Sequence, residues 1–206
     1  MDVRQPATVL ISELDAAILG VLMKTTKPLS GRQVSRLAEG PQRSTSRALE
    51  RLTLHGLVSR EDSGTAALYS LNREHVAFGL VKVLMDLRGS FIRRIVAEVS
   101  NWELAPLHVS LFGSMARRDG DTTSDIDVLV VRDRQLRVDN PQWQKQMSSL
   151  RQHGLAWSGN PTNVVEIAEV MVPKFVHQHP ELVENMLRDS LAIFGLPADA
   201  LLRRSG

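Results

Sequence analysis

The 206-residue chain contains no cysteine. That excludes a disulfide scaffold, a thiolate zinc site and a cysteine nucleophile together. Aromatic residues make up only 4%, too few for a single-stranded nucleic-acid surface built on stacked rings. No apolar run reaches the roughly 18 residues that a membrane span needs, and no basic start leads into an apolar segment. A cytoplasmic protein with no membrane partner is expected by elimination. Internal repeats and low-complexity tracts are also missing. The net charge of +2 is too small to point to nucleic acid by itself. What is present is an ordinary globular balance, 43% hydrophobic and 23% charged, with length for one ample domain or two small ones.

The first third reads as three short helices and a hairpin. Leu14, Ala17, Ile18, Val21 and Leu22 recur at helical spacing behind Ser12, a capping residue. Ser30 can cap a second helix, and Gly40-Pro41 separates it from a third that stops at Gly56. Two strand-like runs, 57–60 and 67–71, flank the polar stretch 61–65. In the third helix Arg43, Arg47 and Arg51 fall on one stripe at steps of four, with Gln42, Ser44, Thr45 and Ser46 crowding its first turn. A recognition helix presents such residues to DNA, and Arg60 on the hairpin can reach an adjacent phosphate. Residues 12–73 are similar to winged helix-turn-helix regulators, which implies double-stranded DNA as a partner. A long helical stretch from about Glu74 to Trp102 follows, interrupted by Gly89. Pairing of that helix with its copy would give a homodimer suited to a palindromic site.

Beyond Pro106 strands and helices mix. Strands are expected at 107–112, 126–131, 164–171 and 191–194, with helices at 138–154 and 180–188. The expected class is α+β in three parts: 1–73 a winged helix-turn-helix domain, 74–105 a connecting helix, 106–206 the mixed sheet. The chemistry concentrates at Leu111-Phe112-Gly113-Ser114-Met115-Ala116-Arg117 and, about a dozen residues later, Ser124-Asp125-Ile126-Asp127-Val128. Asp125 and Asp127 leave one face of a strand entrance, where two carboxylates repel unless a divalent cation lies between them. Ile126 and Val128 face the other way, into a core. Gly113 permits a tight turn, Ser114 can cap a short helix, and Arg117 can add a charge-assisted phosphate contact.

These residues resemble the DNA polymerase β-like nucleotidyltransferase superfamily, and most of all its minimal nucleotidyltransferases, over roughly Pro106 to Leu196. The resemblance implies that Asp125 and Asp127 bind two Mg²⁺ with a third carboxylate from a later strand. It also implies that an NTP, with ATP the expected one, donates its nucleotidyl group. Glu166, mid-strand among apolar neighbours, is expected to be that third acid; Glu169, nearer the strand end, is expected to be exposed. Two departures stand out: the family often has Asp where Glu166 lies, and commonly has glycine directly after the arginine, where this chain has Arg118. The acceptor hydroxyl is expected on a protein, a nucleic acid or a small molecule; related minimal enzymes often belong to toxin–antitoxin pairs, so the resemblance allows a partner protein as the acceptor. The other function class is a DNA-binding transcription regulator whose nucleotidyltransferase-like domain binds nucleotide without turnover. His177-x-His179 is expected to be loop rather than a ligand pair.

Overall fold

The structure, a computed structural model, describes residues 1–64 and 66–202. Thr65, in the expected hairpin turn, and the end of the expected third part lie outside the described residues. The chain divides into two compact units. One is Gln5–Leu87; the other joins Met1–Arg4 to the chain from Arg88 onward. Among the described residues no helix is long and apolar enough to cross a membrane.

The 5–87 unit holds helix α1 (Glu13–Met23), strand β1 (Leu29–Ser30), α2 (Gly31–Leu37) and α3 (Gln42–Leu54). Strands β2 (Val58–Ser63) and β3 (Ala66–Leu71) and helix α4 (Phe78–Met85) complete it. Ser12 caps α1 through the Asp15 amide, and Ser30 with Gln33 forms a capping box at α2, both as their spacing predicts. β1, absent from the sequence expectations because it is two residues long, pairs with β3, giving an antiparallel sheet of order β1-β3-β2. Ile18, Leu22, Val34, Leu49, Val58 and Leu71 form its core.

The expected long helix 74–102 is two helices, α4 and α5 (Leu87–Ser100). They separate at Asp86, which leaves the helical region (φ −112°, ψ 27°), while Gly89 sits inside α5. Aspartate competes for backbone hydrogen bonds and breaks helices more readily than its spacing alone suggests.

The second unit continues with β4 (His108–Phe112), α6 (Gly113–Arg117), β5 (Ile126–Arg132), α7 (Pro141–Ser158) and β6 (Thr162–Ala168). Helices α8 (Val172–Gln178) and α9 (Pro180–Asp189), strand β7 (Leu191–Gly195) and α10 (Ala198–Leu202) follow. The sheet order is β6-β5-β4-β7; β5 and β6 run parallel and the other pairs antiparallel. Alternation along the strands divides this sheet into two covered faces. On one, Val109, Leu111, Ile126, Val128, Val130 and Val164 pack on α5 and α7. On the other, Phe112, Leu129 and Val131 pack on α8, α9 and α10. α8 and α10 were not expected from sequence. The first buries only Val172 and Phe175, a signal too short to separate from loop.

Candidate active site

β4 ends at Phe112, and the next residue turns the chain out of the sheet. Gly113 has φ +64°, and any side chain there would collide with the Asp127 carboxylate. Glycine is required on both counts. α6 begins at Gly113 with Phe112 as its cap, so Ser114 lies inside the helix and does not cap it, contrary to the sequence expectation. The first amides of that turn have no carbonyl one turn back to bond.

At its other end α6 is closed by Arg118, whose amide bonds the Ser114 carbonyl and whose backbone is left-handed (φ +67°, ψ +31°). Here lies the physical content of the departure noted above: the position that favours glycine is filled by arginine. Arg88, at the start of α5, donates to the Met115 carbonyl at 2.9 and 3.1 Å and to Ala116 at 3.3 Å. A guanidinium at a helix C-terminus satisfies orphan carbonyls and complements the dipole. Burial, and then the Arg118 charge, lower the Arg88 pKa.

The return to β5 runs through 119–125. Gly120 is buried, and a Cβ there would lie 2.7 Å from the Ser114 hydroxyl. Asp121 accepts from the Thr123 amide (2.9 Å) and hydroxyl (2.7 Å) and from the Ser124 hydroxyl (3.1 Å). The Thr123 bonds foremost hold its pKa down to about 2. Buried Asn160 donates to the Asp121 and Ser124 carbonyls at 3.0 and 2.9 Å, and the Val3 amide donates to the Gly120 carbonyl at 2.9 Å. None of these clamps carries a motif, so sequence reading passed over Val3, Arg88 and Asn160.

Asp127 opposes Phe112 on β4 and Asn163 on β6. It is half-buried, and it accepts a hydrogen bond from the Asn163 amide that is long at 3.4 Å. Burial raises its pKa first; the Asn163 bond and Arg117 oppose the shift, and Asp125 adds to it. Asp125 stands exposed one residue before β5, while Ile126 and Val128 are buried on the opposite face, as alternation requires. Arg117 is half-exposed and paired to Asp119 at 2.9 Å.

Glu166 does not join them. The register pairs Asp127 with Asn163 and Val130 with Glu166, an odd step of three that puts Glu166 on the α7 face, away from Asp127. There it accepts from Arg132 Nε at 3.0 Å and from the Trp143 indole at 2.8 Å. Its burial is compensated by an ion pair and an indole hydrogen bond. Glu169 starts a short 3-10 turn after β6 and is exposed. Among the described residues no third His, Asp or Glu gathers with Asp125 and Asp127. The position beside Asp127 belongs to Asn163.

A half-buried carboxylate next to a second one, with a long amide donor and a nearby guanidinium that do not cancel the effect of burial, is short of compensation for its charge. That donor set fits one hard divalent cation, the rest of its shell coming from water and phosphate oxygens. It does not supply the three-carboxylate cage expected for two ions.

Residues 92–184 match the family model of the nucleotidyltransferase domain. The matched segment runs from α5 into α9 and contains Gly113, Ser114, Asp125, Asp127 and Asn163. No curated protein matches the chain. Among solved structures, a chain from the crystal structure of a toxin–antitoxin with AMP-PNP is similar at 15% identity and a TM-score of 0.39. The similarity covers 55% of this chain and 82% of that one.

In the 5–87 unit, α3 displays Arg43, Ser44 and Arg47 to solvent. Thr45 does not accompany them: it is fully buried, on the side of Ala48, Leu49 and Leu52, so it cannot contact a base. Arg51 forms an ion pair with Asp15 on α1, and Arg60 pairs with Asp62 at 2.9 Å. The exposed cations not engaged this way on α2 and α3 include Arg32, Arg36, Arg43 and Arg47. His177 lies in the last turn of α8 and not in the expected loop, and His179, just after it, leans on Phe175 with ring centroids 5.1 Å apart.

Proposed function

We propose that the chain transfers a nucleotidyl group from a Mg²⁺-bound NTP, ATP being the expected donor, to a hydroxyl acceptor. The observation that carries this reading is Asp127: a half-buried carboxylate laid over Gly113, beside Asp125, with a long amide hydrogen bond and the Arg117 charge offsetting its burial in part. The nucleotidyltransferase family match over 92–184 supports it. Asp125 and Asp127 would hold one Mg²⁺, which would supply the charge that the triphosphate needs when its Pα–O bond breaks. Ser114 and the backbone of its turn would hold the phosphates. Arg117 would exchange Asp119 for a phosphate oxygen, a charge-assisted contact. One of the two carboxylates would help take the acceptor's hydroxyl proton. The acceptor class most in keeping with the sequence resemblance is a protein.

The order of three helices and a hairpin, together with exposed Arg43, Ser44 and Arg47 on α3, supports a DNA-binding winged helix for residues 5–87. Exposed Leu80 and Val83, one turn apart on α4, would serve self-association into a homodimer.

A second reading is favoured by Asn163. With an amide and not a third acid beside Asp127, the site would bind Mg²⁺–nucleotide and report it to a DNA-binding regulator without turnover. One assay separates the two. Wild type and Asp125→Ala/Asp127→Ala are incubated with α-labelled NTPs, Mg²⁺ and cell extract. Label transfer lost in the variant supports the enzyme; saturable NTP binding with no transfer to any acceptor refutes it in favour of the sensor.

A further inference from the structure

The chain passes between its two units twice, after Arg4 and before Arg88. On the second unit's side, both passages are fastened to the same few residues. Val3, buried in the core under the sheet, donates its amide to the Gly120 carbonyl at 2.9 Å. Gly120 lies against Ser114, so closely that a Cβ would come within 2.7 Å of the hydroxyl. Arg88 holds the Met115 and Ala116 carbonyls with three contacts between 2.9 and 3.3 Å. Its helix is pinned in turn by buried Phe91, Ile95 and Val99. The turn carrying Ser114 is thus held directly by Arg88 and, through Gly120, by Val3, the residues next to the two chain passages. Neither grip is one of the sheet's own strand pairings.

We infer that Val3 and Arg88 couple the nucleotide site to the 5–87 unit: phosphate binding at Ser114 shifts the two points from which that unit is hung. The inference rests on the nucleotide reading above. Ser114 is packed against Gly120, and the Met115 and Ala116 carbonyls belong to its own turn, so a displacement of Ser114 by a bound phosphate would reach both. Val3 and Arg88 follow, since close-packed contacts pass displacements on rather than absorbing them. Coupling of this kind is reciprocal, so a ligand that fixes the 5–87 unit would change nucleotide affinity by the same factor. Both are positioning residues; neither touches the carboxylate pair.

The absence of cysteine allows clean labelling. Donor and acceptor dyes are placed through Glu50→Cys and Gln152→Cys, both exposed, and single-molecule energy transfer is recorded with and without Mg²⁺–ATP. Calorimetry measures binding in parallel. Expected is a shift in the distance distribution on nucleotide binding. Val3→Pro, which removes the amide donor, combined with Arg88→Met, which removes the guanidinium and keeps the stem, should abolish that shift while Mg²⁺–ATP still binds. Should Val3→Pro prevent folding, Arg88→Met alone should shrink the shift by about half, one of two independent moorings being gone. Nucleotide binding with an unmoved distribution in the wild type, or a full shift in a folded moored-loss variant, overturns the inference alone. No binding to the wild type overturns the nucleotide reading, and this inference with it.

Discussion

Arg118→Gly should make the protein more stable, although it deletes a charged side chain from the candidate site. Arg118 closes α6 in the left-handed region, φ +67° and ψ +31°. For a residue with a Cβ that conformation costs about 1–2 kcal/mol. Glycine adopts it freely but loses about 0.5–1 kcal/mol in unfolded-state entropy. The difference leaves a net gain of about 0.5–1 kcal/mol, or ~1–4 °C in Tm for a chain of this size. A second, smaller contribution comes from Arg88, whose pKa is lowered first by burial and then by the Arg118 charge; removing that charge relieves a repulsion. Arg118→Ala separates the two, since it removes the charge and keeps the Cβ. Urea unfolding monitored by tryptophan fluorescence reads all three proteins. The backbone argument expects Gly above Ala, and Ala close to wild type. Equal gains in Ala and Gly would show that charge, not backbone strain, is the issue. A loss in Gly would refute the left-handed closure of α6.

Other expectations follow from the same geometry. Burial raises the Asp127 carboxyl, so the metal-free fold is favoured by its protonated form. That contribution is present below the ordinary carboxylate value near 3.8 and is lost as pH rises through the raised one. Asp127→Asn should therefore stabilise the metal-free protein at neutral pH, by at most about 1 kcal/mol for a half-solvated group. With Mg²⁺–ATP added the order should reverse, which thermal melts across pH would show. Glu166→Ala strands the Arg132 guanidinium and the Trp143 indole and should cost about 2–4 kcal/mol in urea unfolding. Its nucleotide affinity should stay unchanged; a selective loss of that affinity would restore Glu166 to the metal site. In duplex-binding titrations Arg43→Ala/Arg47→Ala should weaken affinity and flatten its salt dependence by about two phosphate contacts. Arg51→Ala, which breaks the pair with Asp15, should act on stability instead.

How much of this was legible in the sequence depends on the range of the interaction. The Gly113-Ser114 turn and the Asp125-x-Asp127 pair rest on neighbours within a strand end, so spacing alone locates them. The caps of α1 and α2 are readable for the same reason. Glu166 was misassigned because a strand's face is set by register with its neighbour. β6 starts at Thr162, not Val164, and pairs Asn163 with Asp127. A carboxylate amid apolar residues has more than one way to be compensated, and here Arg132 and Trp143 supply it from 34 and 23 residues away. Thr45 failed for a related reason: one helical turn carries both an exposed face and a buried one, and Thr45 shares the side of Leu49 and Leu52. The hold of Val3 on Gly120 spans more than a hundred residues and uses only backbone atoms, so no side-chain pattern announces it.

The central claim is that Asp125 and Asp127 form a single divalent-cation site that is completed by a nucleoside triphosphate. The most direct measurement is a Mn²⁺ titration followed by electron paramagnetic resonance, with and without ATP, on wild type, Asp125→Ala/Asp127→Ala and Glu166→Gln. Expected is one Mn²⁺ held per chain in the presence of ATP beyond what ATP alone holds, lost in the double variant and retained in Glu166→Gln. Equal Mn²⁺ retention by wild type and the double variant, or its loss in Glu166→Gln, would contradict the account.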